Sequence, residues 1–183
     1  AGLFARPGQS VAVLNIGGIA NLTLLPAEGP VSGFDCGPGN ALMDGWCERH
    51  TGRAFDDGGR WGARGAVNAA LLDQLLQEPF FAKPPPKSTG RDLLHLAWVE
   101  RAIAACPRAG EPADAVPRPE DIQATLAELT ARCAADALRH HAAQTAALLV
   151  CGGGAFNQHL MGRLAALLPG VAVSATDPEG VPA

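Results

Sequence analysis

Two adjacent glycines lie between apolar segments near the start of the sequence, within residues 15–23 (NIGGIANLT). Gly17 and Gly18 can form a tight hairpin with positive φ angles, and they leave the backbone N–H groups open to a close ligand. Phosphate suits such a site, because its charged oxygens accept hydrogen bonds from backbone N–H groups. The segment therefore predicts either a phosphate-binding hairpin or a simple turn.

A second glycine-rich segment favours the phosphate hypothesis. Gly152, Gly153 and Gly154 follow the apolar run 146–151 and precede a helical pattern, with Asn157 near its start. Glycines at the point where a strand leads into a helix let a ligand approach the backbone closely. Two such segments in one chain indicate a nucleotide site more strongly than either does alone.

Residues 80–91 (FFAKPPPKSTGR) form a stiff, extended segment, because three consecutive prolines remove backbone donors and fix φ. Lys87, Ser88, Thr89 and Arg91 place four side chains that suit anions at one rigid position. The segment is interpreted either as a substrate-binding loop or as a structural strap between domains.

Composition excludes several classes of function. The net charge is -4 and no run of Lys and Arg is present, so we expect no binding to nucleic acid or to an anionic membrane surface. The longest apolar runs are far shorter than the roughly 20 residues of a membrane-spanning helix. The five cysteines are odd in number and form no Cys-x-x-Cys pair, which argues against disulfides and zinc and favours the cytoplasm.

The glycine segments must be positioned by a sheet. Apolar runs predict an antiparallel meander of strands at 11–16, 20–25 and 31–34, and two further strands at 146–151 and 171–174. The last two enclose a helix, which predicts a parallel pair with a right-handed crossover. The fold class is therefore α/β, with a mixed sheet and helices packed on it.

Helical spacing and capping signals place the remaining elements. Asn40 is predicted to cap a helix that ends at Gly52, and Pro79 is predicted to stop a second helix. Pro119 suits the first turn of the longest helix. Residues 107–117 are proline-rich and predict an exposed connection. The predicted helices cover residues 41–49, 67–77, 92–105, 119–141 and 156–168.

Two common nucleotide motifs are absent. A dinucleotide-binding site needs Gly-x-Gly-x-x-Gly after its first strand, a spacing that residues 152–154 lack. A Walker P-loop needs Gly-Lys followed by Ser or Thr at the start of a helix, and no such triplet occurs. The remaining arrangement, a glycine hairpin in a meander and a later strand-glycine-helix element, resembles the ribonuclease H-like nucleotide-binding lobe of the actin, hexokinase and Hsp70-like ATPases.

Four segments resemble one family of that group, the anhydro-N-acetylmuramic acid kinases of bacterial cell-wall recycling. They occur in the family's order and span nearly the whole chain: 15–23, 34–44 (FDCGPGNALMD), 86–91 (PKSTGR) and 151–157 (CGGGAFN). The resemblance implies an enzyme that uses ATP and water to open the 1,6-anhydro bond of anhydro-N-acetylmuramic acid while it phosphorylates O6. The product is N-acetylmuramic acid 6-phosphate.

The resemblance also implies roles for individual residues. Asn15 stands where many relatives carry an aspartate near the metal, and Asp35 is the preferred carboxylate to associate with Mg²⁺ through water, the alternative being a helix cap. The residues implied for the ATP phosphates are Asn15, Gly17, Gly18 and Asn21. Those implied for adenosine are Gly152, Gly153, Gly154 and Asn157, with helix capping as the alternative for Asn157. Those implied for a cleft that binds the sugar or joins two lobes are Asp35, Asn40, Lys87, Thr89 and Arg91.

Residues 1–183 are interpreted as one nucleotide-binding lobe, the C-terminal half of a two-lobed kinase. In the family, the catalytic aspartate and the first phosphate loop precede this segment and a last helix follows it. No catalytic base is therefore assigned here, and the lobe alone is expected to be inactive. The expected partners are ATP and a small sugar, with a homodimer as a candidate assembly. Two alternatives are a related kinase for another sugar or small acid, and a non-catalytic nucleotide-binding or assembly module.

Overall fold

A computed structural model describes residue 4 and residues 6–106 and 117–177. Five strands form one sheet in the order β3-β2-β1-β4-β5. β1, β2 and β3 pair as an antiparallel meander, whereas β4 runs parallel to both β1 and β5. This arrangement confirms the predicted mixed sheet. The strands are β1 (Ser10–Ile16), β2 (Ala20–Leu25), β3 (Ser32–Gly37), β4 (Thr145–Cys151) and β5 (Ala172–Ala175).

Apolar side chains explain the position of the central strands. Leu14 and Leu22 are fully buried and face each other across β1 and β2. In β4, the successive residues Leu148, Leu149 and Val150 are all buried, so both faces of this strand are covered. A continuous apolar run of this kind is typical of a strand within a parallel pair.

Six helices accompany the sheet within the described residues. The longest, α5, packs against α1, α2 and α6 and against β2 and β3 of the sheet. It begins at Pro119 as predicted, because proline at the first helical position loses no intrahelical hydrogen bond. None of the helices in the described ranges combines the length and apolarity needed to cross a membrane. The helices are α1 (Ala41–Thr51), α2 (Ala69–Leu76), α3 (Pro79–Ala82), α4 (Leu96–Ala105), α5 (Pro119–His141) and α6 (Gln158–Leu167).

A buried carboxylate fixes α6 to α5. Glu128 is only 3% exposed, and its side chain accepts hydrogen bonds from Arg163 of α6 at 2.6 and 3.2 Å and from Arg132 at 3.2 Å. Burial raises the pKa of Glu128, but the bonds from Arg163 and Arg132 outweigh it and the pKa is lowered. Because α6 follows the second glycine segment, this ion-paired cluster also fixes that segment.

Several predicted boundaries are wrong. The third strand does not end at Phe34, because Asp35 and Gly37 still pair with Asn21 and Ala20 of β2 across a register shift. The helix predicted from residue 92 begins only at Leu96, where the side chain of His95 accepts a hydrogen bond from Trp98 N at 3.2 Å.

Other boundaries differ as well. Pro79 does more than stop a helix, since it opens the short helix α3. Residues 80–82 are therefore helical, and the prediction of an extended segment from residue 80 is wrong for them. The last predicted helix begins at Gln158 rather than at residue 156, because a 3-10 turn, Gly153–Phe156, precedes it. Most of the predicted exposed connection, residues 107–116, lies outside the described residues.

Candidate functional site

The glycine hairpin connects β1 to β2. Ile16 pairs with Ala20, which leaves a connection of three residues, 17–19. The prediction of positive φ angles is wrong, because neither Gly17 nor Gly18 has one. The three-residue connection therefore reverses the chain with no residue at a positive φ, although short hairpin connections usually contain one. What Gly18 does provide is space for a close neighbour, as described below.

The turn before α1 packs against the backbone of the hairpin. Gly39 has a φ of 61°, and a Cβ atom added there would lie 2.8 Å from Ala20 N and closer still to the carbonyl oxygen of Gly17. Asn40 N donates a hydrogen bond to the same carbonyl oxygen at 2.7 Å. The buried hydroxyl of Thr130, on α5, donates to Gly39 O at 3.0 Å. The hairpin and this turn are thus in direct backbone contact.

Asn40 joins the hairpin to the second glycine segment. Its Nδ2 donates to Ile16 O at 3.0 Å, and Cβ atoms added to Gly153 and Gly154 would lie 3.0 Å from its Nδ2 and 3.2 Å from its Oδ1. The prediction that its side chain caps α1 is wrong, because it makes no capping hydrogen bond and its backbone is already helical. The amide instead bridges two segments that are distant in sequence.

The second glycine segment packs directly on β1. Gly152 has a φ of 79°, and a Cβ atom there would lie 2.5 Å from Asn15 Oδ1 and 2.8 Å from Ile16 O. Asn15 also accepts a weak hydrogen bond from Cys151 Sγ at 3.9 Å. The structure therefore brings Asn15 and Ile16, which precede Gly17, into contact with residues 152–154, although more than 130 positions separate the two segments in sequence. Asn21 pairs with Asn15 across β1 and β2.

Asn157 has the capping role that was one of its two predicted alternatives. Its Oδ1 accepts a hydrogen bond from Leu160 N at 3.0 Å at the start of α6. The same side chain contacts Gly59, where an added Cβ would also lie 2.8 Å from His159 Cβ. Gly59 has a φ of 72°, so glycine permits both the backbone conformation and the close approach of its loop.

A cavity of about 440 Å³, called the main cavity below, opens between the loop that contains residues 55–58 and the second glycine segment. Such a volume lies within the usual range for small-molecule sites. Phe55 and Phe156 stand at its sides with 59% and 63% of their surfaces exposed, which is unusual for large apolar side chains. The cavity is lined by Asn40, Asp44, Phe55, Asp56, Asp57, Gly58, Gly153, Phe156 and Asn157.

Sequence reasoning missed the wall of this cavity formed by residues 55–58. Asp56 shapes that wall, because its two carboxylate oxygens accept hydrogen bonds from Trp61 N and Gly62 N, both at 2.8 Å. Phe156 was also missed, although it lies only two residues after Gly154 and that position was the available signal. The signal for Phe55 is weaker, since only folding brings its loop to α6.

Residues 83–91, the part of the predicted extended segment that follows α3, are bound along β3 and are called the strap below. Asp35 Oδ2 accepts hydrogen bonds from Ser88 Oγ at 2.8 Å and Thr89 N at 2.9 Å, and Asp35 N donates to Lys87 O at 3.1 Å. Asp35 therefore does not cap α1. Lys87 Nζ donates to Phe80 O at 3.2 Å and Phe81 O at 2.8 Å. These contacts support the structural alternative for Lys87.

Asp44, in the first turn of α1, borders both the main cavity and a second cavity of about 270 Å³ that Arg91 also lines. Burial raises the pKa of Asp44 to about 6, and the nearby charge of Arg91 only partly opposes this. Within the described residues, no group of three or more His, Cys, Asp or Glu side chains could hold a metal ion.

Asp44→Asn is expected to stabilise the fold above pH 6. Because the pKa of this carboxyl group is raised in the folded state, its ionisation lowers the free energy of unfolding as pH rises from about 4 to 6. Above about pH 6 this loss is constant. For this half-buried group, screening reduces the expected gain to about 1 kcal/mol at pH 7.5, a rise in Tm of about 3 °C. Thermal melts at pH 4 and 7.5 measure it, with Asp73→Asn on the exposed face of α2 as control. An equal gain at both pH values would contradict the burial of Asp44.

A family model described as anhydro-N-acetylmuramic acid kinase matches residues 1–183. Two curated proteins of that name are similar to this chain. The one from Variovorax paradoxus is 56% identical over 98% of this chain, and the one from Ralstonia nicotianae is 55% identical over 99%. In both cases the match covers 47% of the relative, so the chain spans about half the length of these proteins.

Solved structures show the same fold at low sequence identity. The activator of 2-hydroxyisocaproyl-CoA dehydratase from Clostridium difficile, with bound ADPNP, is 15% identical and has a TM-score of 0.57, over 95% of this chain and 56% of that one. A carbohydrate kinase from Novosphingobium aromaticivorans is 18% identical and has a TM-score of 0.51, over 91% of this chain and 37% of that one. These likenesses confirm the expected fold class, a mixed sheet with helices packed on it.

Proposed function

Because this chain belongs to the anhydro-N-acetylmuramic acid kinase family, we propose that it is the ATP-binding lobe of a kinase that acts on anhydro-N-acetylmuramic acid. In the proposed reaction, water adds to C1 as the C1–O6 bond breaks, and O6 accepts the terminal phosphoryl group of ATP. The products are N-acetylmuramic acid 6-phosphate and ADP. The family match over all 183 residues is the observation that carries this proposal.

The geometry supports a site for ATP that extends from the hairpin to the main cavity. We propose that the phosphates lie over Gly17 and Gly18, beside Asn15 and Asn21, where backbone N–H groups can approach them. Phosphoryl transfer depends mainly on positioning and charge stabilisation, so a rigid hairpin is what the reaction needs. Asn40 supplies that rigidity, because its side chain bonds to Ile16 O at 3.0 Å.

We propose that adenosine lies in the 440 Å³ cavity, over Gly152, Gly153 and Gly154. The exposed rings of Phe55 and Phe156 border that cavity and can contact the base, which is a flat aromatic group. Asn157 both caps α6 and lines the cavity. A single continuous surface would then bind base, sugar and phosphates of the nucleotide.

Mg²⁺ is proposed to arrive with the nucleotide, as it usually does in kinases, where one or two carboxylates and the phosphates hold it. Asp35 remains the proposed carboxylate, acting through water. Its Oδ2 already accepts two hydrogen bonds from the strap, which fix the orientation of the carboxylate. When bound, the metal ion would supply positive charge near the phosphates.

The proposed assembly is a two-lobed enzyme. The base that activates water, and part of the sugar site, are proposed to belong to a lobe outside these 183 residues, with Thr89 and Arg91 facing the shared cleft. The cytoplasm is the proposed compartment, because the cysteines are thiols rather than disulfides. A homodimer remains a candidate assembly.

The proposed reaction predicts ADP release that depends on the sugar. The full-length protein that contains this chain is incubated with ATP, Mg²⁺ and anhydro-N-acetylmuramic acid, and ADP is measured together with the mass of the product. We expect a product heavier than the sugar by one water and one phosphoryl group. ADP release only with other sugars or small acids would favour the related-kinase alternative, and ATP binding without turnover would favour a non-catalytic module.

The same assay tests the adenosine site. Phe156→Ala is expected to raise KM for ATP about tenfold, because contact of a base with an aromatic ring contributes about 1–3 kcal/mol. The matched control is Val31→Ala, which removes an exposed apolar side chain beside β3, at the end of the sheet opposite the hairpin. Equal KM values for the two variants would place the base elsewhere.

A further inference from the structure

Arg91 occupies the space directly over the hairpin. A Cβ atom added to Gly18 would lie 2.5 Å from Arg91 Nη2 and 3.2 Å from both its Cζ and its Nε. The guanidinium group therefore covers the face of Gly18 that a side chain would fill. By contrast, the nearest neighbours of a Cβ on Gly17 would be 3.6 Å and 3.9 Å away. Of the two hairpin glycines, only Gly18 is needed for this contact.

The backbone on both sides of Arg91 is fixed. On one side, the carboxylate of Asp35 accepts hydrogen bonds from Ser88 Oγ and Thr89 N at 2.8 and 2.9 Å. On the other, Gly90 O accepts hydrogen bonds from Leu93 N and Leu94 N, both at 3.2 Å. The guanidinium can change rotamer, but the backbone of Arg91 is held in place by these bonds. This arrangement keeps a positive charge near Gly18.

The charge of Arg91 is not neutralised by a close partner within the described residues. The carboxylate that its charge influences is Asp44, whose pKa it lowers against the stronger effect of burial. The two side chains line the same 270 Å³ cavity without forming an ion pair within 4.0 Å in the described part of the chain. A guanidinium that lies over a glycine hairpin without a close counter-ion is well suited to bind an anion.

We propose that Arg91 is a phosphate-binding residue of this lobe, and that its guanidinium pairs with the terminal phosphate of the nucleotide held over Gly18. This inference rests on the proposed function. The guanidinium already lies over the hairpin, and a change of rotamer lets it bind the phosphate oxygens with two parallel N–H groups. The ligand class is a nucleoside triphosphate, in preference to the diphosphate or the nucleoside.

Binding measurements with three nucleotides test this role. In the full-length protein that contains this chain, Arg91→Ala is expected to weaken binding of a non-hydrolysable ATP analogue about 30-fold, since hydrogen bonds to charged groups are among the strong ones. Binding of ADP should weaken by about threefold or less, and adenosine should bind as before. Titration calorimetry measures all three affinities. Arg91→Lys keeps the positive charge but lacks the two parallel N–H groups of the guanidinium. Its affinity for the ATP analogue should lie between those of wild type and Arg91→Ala.

Arg101→Ala is the matched control, because it removes an exposed arginine of α4 and the same unit of charge. It should leave all three affinities unchanged. The inference would be overturned if Arg91→Ala bound the ATP analogue as tightly as wild type, or if its loss were equal for the analogue and adenosine. If Arg91→Ala does not fold, Arg91→Lys and Arg91→Gln decide by the same criterion. A wild-type protein that binds no nucleotide would overturn the proposed function itself, a result that no Arg91 variant could produce.

Discussion

Gly39→Ala is expected to cost the fold about 3 kcal/mol and to abolish measurable binding of the ATP analogue. Two effects add at this position. A left-handed backbone is about 1–2 kcal/mol less favourable for alanine, and Gly39 has a φ of 61°. The new methyl group would also lie 2.8 Å from Ala20 N and 2.9 Å from Ile19 C, and closer to Gly17 O. These are backbone atoms of the hairpin, so either the hairpin or the turn must move.

Urea denaturation of Gly39→Ala and of a matched variant separates the two effects. Gly52, at the C-terminal end of α1, has a φ of 72°, but no neighbouring atom lies within 4 Å of the position that an added methyl group would take. Gly52→Ala should therefore lose only the conformational part, about 1–2 kcal/mol, and should bind the nucleotide normally. Equal losses for the two variants would show that the hairpin does not rest on Gly39.

Much of the sheet could be predicted from the sequence, because its signals are local. The apolar runs at 11–16, 20–25 and 146–151 fall within one residue of β1, β2 and β4. The start of α5 at Pro119 was also predictable, since proline and the following acidic residues act within one helical turn. The end of β3 was not, because pairing with β2 extends it through glycine-rich residues that locally favour a turn.

The site was predictable in its two glycine segments but not in what joins them. Asn40 has the sequence context of a helix cap, and nothing local distinguishes that role from its bond to Ile16 O. The glycine pair suggested positive φ angles at Gly17 and Gly18, yet the left-handed residues are Gly39 and Gly152 around the hairpin. These two conformations depend on packing between distant segments, which the order of residues does not reveal.

Gly154→Ala is expected to destabilise the fold by about 2–3 kcal/mol and to weaken nucleotide binding, through a steric effect alone. Gly154 has no positive φ. An added methyl group would lie 2.5 Å from Ile16 Cβ and closer to its Cγ2, and Ile16 is fully buried and cannot move away. Overpacking of a dense core typically costs about 1–3 kcal/mol. Urea denaturation measures the loss, and Gly162→Ala on the exposed side of α6, with nothing within 4 Å, should instead gain about 0.5–1 kcal/mol.

A double-mutant cycle identifies the contact responsible. Ile16→Ala removes the Cγ2 methyl group that the new side chain would strike, and alone it should cost about 2–5 kcal/mol by leaving a cavity. In the double variant the alanine at position 154 partly fills that cavity, so the combined loss should be smaller than the two single losses together by about 1–2 kcal/mol. Additive losses would contradict the direct packing of the second glycine segment on β1. A coupled result would establish that β1 and the second glycine segment pack directly on each other, as the proposed surface for ATP requires.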